Sequence, residues 1–182
     1  MESVDDFRPA AVGDRSIMAV AERVLAAVDP GHEAAQAARL RMVGLSLFGS
    51  MAGRRRIARA VFDRPRRSVG GGFGTEQLEL AGQILLLILN GVGTELLADV
   101  AKHRLDGAGG WLRRRRAARA ISRASAAQGA STPVPLQRPT DARNIGDLVT
   151  QLALRSGCGR EQAQLLGTQI AAELSDPRPM RD

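Results

Sequence analysis

The chain has no tyrosine and one tryptophan, and aromatic residues make up 3% of it. Aromatic faces are what stack single-stranded bases or sugar rings, so recognition by stacking has almost no material here. A single cysteine, Cys158, excludes an internal disulfide and any cysteine-based zinc site, and it suits a reducing compartment. The opening MESVDDFRPA is acidic and lacks the apolar run of a secretory signal, so the expected location is cytoplasmic, with membrane association as the alternative. Lysine is nearly missing as well: Lys102 is the only one among 26 basic residues. So strong an arginine preference, with abundant Ala and Gly, fits a GC-rich bacterial coding sequence and weakens any argument that arginine was selected for its geometry rather than its charge.

Catalytic signatures are also lacking. No nucleophile is paired with a base, and no cysteine cluster or phosphate loop is present, so the expectation is a non-catalytic protein without a cofactor or metal. Gly70, Gly71, Gly72 and Gly74 precede a helical pattern, but GGGFGT has neither a Gly-Lys-Ser/Thr ending nor the spacing G-x-G-x-x-G, and it reads as a flexible joint. Glu95, Asp99 and His103 recur at helical spacing; with Lys102 and Arg104 beside them they read as an exposed salt-bridged face.

One long apolar stretch is present, at residues 75–102, and the chain is arranged around it. Glu76, Glu79, Gln83, Asn90 and Thr94 mark a narrow polar stripe on a helix otherwise covered by leucine and isoleucine. Gln83, Asn90, Glu95 and three glycines interrupt the best window for a bilayer span, which needs about 20 apolar residues. A buried core or oligomer helix is therefore expected, with a break near Asn90, Gly91 and Gly93.

The net charge of +7 is distributed in blocks. Residues 1–38 hold three bases against seven acids, 39–73 nine against one, 74–110 two against five, 111–139 seven against none, and 140–182 five against six. Basic blocks of this kind attract polyanions, nucleic acid or anionic lipid.

The expected organisation is all-α: a helical bundle around the hydrophobic central helix, with a C-terminal two-helix hairpin. Residues 1–13 read as a disordered N-terminus and 14–127 as a helical core with two Arg-rich segments. Residues 128–140 read as a Pro-rich linker, 141–176 as the hairpin, and 177–182 as a tail. In the core, Asp14 is placed to cap a helix ending before Pro30 and Gly31. Residues 32–62 read as a helical run with bends at Gly44, Gly49 and Gly53, in which apolar residues 42–52 lead into Arg54, Arg55, Arg56 and Arg59. Trp111 opens the second basic segment, with Arg113, Arg114, Arg115, Arg116, Arg119 and Arg123.

In the hairpin, Ile145, Leu148, Val149, Leu152 and Ala153 predict one apolar face, and Ala163, Leu165, Leu166, Ile170 and Leu174 the other. Leu152, Ala153, Gly157, Ala163 and Leu166 fall at positions where this segment resembles a helix-turn-helix. The resemblance implies that Arg160, Glu161, Gln162 and Gln164 face a DNA groove. The same residues are similar to the N-terminal helical hairpin of HU-type bacterial DNA-binding proteins. Leu165 departs from the helix-turn-helix pattern, and no β-arm follows Leu174.

The resulting expectation is a basic helical protein that binds nucleic acid through Arg54, Arg55, Arg56, Arg59, Arg113, Arg114, Arg115, Arg116, Arg119 and Arg160. The alternatives are a protein on an anionic membrane surface and an oligomeric scaffold. Self-association is expected through the central helix or the hairpin.

Overall fold

Ser16 starts the first helix, and its surroundings show how the chain closes on itself. Its hydroxyl accepts from the N–H of Ala19 (3.3 Å), while the Asp14 carboxylate accepts from Ser16's own N–H (2.8 Å). Asp14 therefore positions the cap, and Ser16 is the cap. A computed structural model describes residues 14–63, 75–92 and 129–175. The amino-terminal segment, the glycine joint, the Glu95–Asp99–His103 row, the second arginine segment and the tail lie outside the described residues.

Six helices are described: α1 (Ile17–Val28), α2 (Glu33–Gly49), α3 (Met51–Asp63), α4 (Thr75–Gly91), α5 (Pro139–Arg155) and α6 (Arg160–Leu174). The protein is all-α, a helical bundle with a C-terminal two-helix hairpin. Helix α4 lies at the centre, packed against α1, α2, α3 and α5. Its residues Ile84, Leu85, Leu86, Leu87, Ile88 and Leu89 are all buried. It ends at Gly91, where the sequence predicts a break. One expectation for this helix fails: Asn90, assigned to the polar stripe, is fully buried. Among the described residues, no helix is long and apolar enough to cross a membrane.

The run expected over 32–62 is two helices with a break at Ser50, whose hydroxyl accepts from the N–H of Gly53 (2.9 Å). A β-carbon on Gly53 would collide with the Ser46 carbonyl, so glycine lets α3 fold back against α2. Ile57, Ala58, Val61 and Phe62 then form the buried face of α3.

Residues 129–138, read as a linker, run along α1 as a strap. Thr132 and Ala130 offer their carbonyls to the N–H groups of Ile17 (3.0 Å) and Met18 (3.2 Å), and Val134 donates to the Arg15 carbonyl (2.8 Å). Two of the first-turn donors that a helix leaves unpaired are satisfied in this way. Ala130 and Val134 are buried, and α5 begins at Pro139, its first-turn position needing no N–H.

The hairpin packs on α1 and α4. Arg23 makes a forked contact with Glu173, with Nη2 2.9 Å and Nε 3.2 Å from the carboxylate, and Arg15 donates to the Glu173 carbonyl (3.1 Å). Helix α6 buries Ala163, Leu166, Gly167, Ile170 and Leu174, while Leu165, expected on that face, is exposed.

Candidate polyanion-binding face

Helix α3 carries four of the sequence-predicted arginines. Counting about 100° per residue, Arg55, Arg59 and Arg56 fall within an arc of about 100° on the side opposite Ile57, Ala58 and Val61. All three are exposed, and Arg54 is half-buried beside them. The local cause is the alternation of RRR with the apolar pairs Ile57–Ala58 and Val61–Phe62: burying the second set turns the first outward.

The charge state of this face follows from its neighbours. Among the described residues, Arg23 pairs with Glu173, Arg41 with Glu22, and Arg138 with Asp141. No ion pair engages Arg55, Arg56 or Arg59 among the described residues. Arg23 and Arg41, which join elements, are thus matched to carboxylates, and Arg55, Arg56 and Arg59 are presented to solvent.

A groove of about 490 Å³ borders this face, lined by Arg39, Met42, Val43, Arg56, Ile57 and Glu79 among others. Arg39 belongs to the basic block 39–73 but was not among the predicted contact residues. Its proximity to Arg56 follows from the fold-back of α3 along α2, and the turn at Ser50 was the signal.

Arg160 is exposed at the first position of α6, with Glu161 and Gln164 exposed nearby and Gln162 half-buried. The hairpin geometry departs from a helix-turn-helix, whose two helices meet at about 90–120°. Here the far ends meet: the N–H of Gln137, just before α5, donates to the Leu174 carbonyl at the end of α6 (2.8 Å). Midway, a β-carbon on Gly146 would lie 2.5 Å from the Gly167 carbonyl, and the reverse distance is the same. The helices are therefore side by side and antiparallel, and α6 does not project as a recognition helix. Arg113, Arg114, Arg115, Arg116 and Arg119 lie outside the described residues.

Cys158 closes the hairpin turn, its N–H bonded to the Ala153 carbonyl (3.0 Å). Burial pushes its thiol up from 9.0 to about 11. The folded state thus favours the neutral thiol more than the unfolded state does. That contribution is complete below pH 9.0 and is lost as pH rises towards about 11. Denaturant unfolding across this window should show a fall in stability that a Cys158→Val variant lacks; equal falls in both would contradict it.

The chain matches no family model, no curated protein and no solved structure.

Proposed function

We propose that this protein binds nucleic acid through the arginine face of α3, as a non-catalytic binding or regulatory protein. The observation that carries the reading is the contrast between arginines matched to carboxylates and the exposed Arg55, Arg56 and Arg59, which have no such partner among the described residues. Three guanidinium groups along one helix face, within the chain's most basic block, suit a row of phosphates. Arg113, Arg114, Arg115, Arg116 and Arg119 join the reading on sequence charge, and Arg160 on its exposure. The antiparallel hairpin supports no sequence-reading role for α6, so the affinity expected is mainly electrostatic.

The test is the salt dependence of binding to a labelled duplex. Replacing Arg55, Arg56 and Arg59 together by Ala should make the slope of log affinity against log salt shallower by about 2.7, since each phosphate contact contributes about 0.9. An unchanged slope would remove α3 from the contact surface.

A second reading is favoured by Met42, Leu45 and Met51, large apolar side chains exposed near the same arginines. Apolar insertion beside arginine is the pattern of a protein resting on an anionic membrane surface. Binding to acidic vesicles without duplex binding would favour it over the first. Binding to neither would point to the scaffold reading.

A further inference from the structure

The groove beside the arginine face has walls from three helices, and each wall brings a different chemistry. From α2 come Arg39, Met42, Val43 and Ser46, whose helical spacing puts all four on one side of that helix. From α3 come Arg56, Ile57 and Ala60. Because Gly53 meets the Ser46 carbonyl where α3 folds back, Arg56 falls opposite Val43, and Arg39 stands about one turn further along α2. Guanidinium groups from two helices thus open on one space. Val43 and Ile57 are buried and form its apolar floor, with the exposed Met42 at its rim. Ser46 and Ala60 are too short to fill it.

We propose that this groove holds a small amphipathic acid, its single carboxylate between Arg39 and Arg56 and its apolar body on Val43, Ile57 and Met42. The volume, about 490 Å³, lies within the range of small-molecule sites, about 300–1,000 Å³. Charge decides the class of ligand. No ion pair engages Arg39 or Arg56 among the described residues, whereas Arg41 on the same helix is matched to Glu22. Among the described residues the lining holds one carboxylate, Glu79, which accepts from Nε2 of Gln83 on its own helix (3.2 Å). Two positive charges therefore stand against one negative, which leaves room for one anion. A carboxylate matches the planar guanidinium fork with that one charge, where a phosphate monoester would bring nearly two. Arg55 and Arg59 do not line the groove, so the site stands independently of what the outer arginines bind.

Octanoate is the probe. Calorimetric titration of the full chain at neutral pH and low salt should show saturable binding of octanoate. Octanol and octylamine should bind about tenfold more weakly or worse, since each lacks the anion that two guanidinium groups would clasp. Arg39→Ala and Arg56→Ala should each weaken octanoate about tenfold, and Glu79→Gln should tighten it. Ala60→Leu keeps every charge and fills the space, so it should abolish binding while the urea midpoint stays at or above that of the wild type. Absence of saturable octanoate binding, equal binding of octanol, an affinity unmoved by both arginine substitutions, or wild-type binding by Ala60→Leu would each overturn the proposal. Capture of the chain by acidic vesicles without uptake of free octanoate would overturn it too, and would make the groove a lipid contact.

Discussion

Gly167→Val is expected to destabilise the fold by about 3 kcal/mol, the upper end for forcing bulk into a packed seam, and Gly167→Ala by about 2 kcal/mol. The reason is local and named. A β-carbon at Gly167 would meet the hydroxyl of Thr150 and lie 2.5 Å from the Gly146 carbonyl. Neither neighbour can yield freely, because the Thr150 hydroxyl donates to that same carbonyl (3.0 Å) and Gly146 is in the interior of α5. Relief requires separating the helices, which strains the Gln137–Leu174 bond at their far end. Gly146→Ala strains the same seam from the other side. The double Ala variant should therefore cost less than the two single effects added together, since one separation relieves both. Gly49→Ala is the control: nothing lies near its β-carbon, so ordinary helix propensity applies, and a gain of at most about 1 kcal/mol is expected. Urea unfolding of the five variants measures all of this. Gly167→Val unfolding at the wild-type midpoint would mean that the seam is looser than its geometry implies.

Asn90→Leu is expected to act in the opposite direction, raising stability by about 1–3 kcal/mol. Both ends of the Asn90 amide are buried, and neither finds a hydrogen-bond partner among the described residues. An unpaired buried polar group costs about 1–3 kcal/mol, and a leucine of similar shape removes that cost and extends the apolar contacts of α4. Asn90→Asp separates this account from a packing account, because it keeps the shape and adds a charge, and it should be the least stable of the three. A loss of stability in Asn90→Leu would show that the amide is satisfied by a group it cannot spare.

Asn90 also shows where the sequence misled. Its spacing from Glu79 and Gln83 placed it on the polar stripe, and those two residues do lie at the surface side of α4. Burial at the end of α4, however, is set by the elements packed around it, which residue type on the helix does not reveal. Helix α1 was legible because Val20, Val24 and Val28 contrast with Glu22, Arg23 and Ala27 on one turn after another. Helix α2 was not, since an element apolar inside and out gives no contrast to read, and residues 42–52 blurred into one run. The basic face of α3 was legible residue by residue as charge, but not as a surface. Only the turn at Ser50 decides that Arg55, Arg56 and Arg59 point away from the bundle and that Arg39 comes near Arg56. The strap was hidden for a different reason: two prolines and no periodicity describe a spacer and an ordered coil equally well.

That strap gives the chain a particular history during synthesis. Helix α1 is synthesised before the strap, yet the carbonyls that complete its first turn belong to Ala130 and Thr132, and Glu173, which grips Arg23, comes later still. Every residue between α1 and the hairpin must be made before α1 can lock. The nascent chain therefore carries an unfinished, apolar α1 until α6 has been made, a period in which exposed hydrophobic surface invites chaperones.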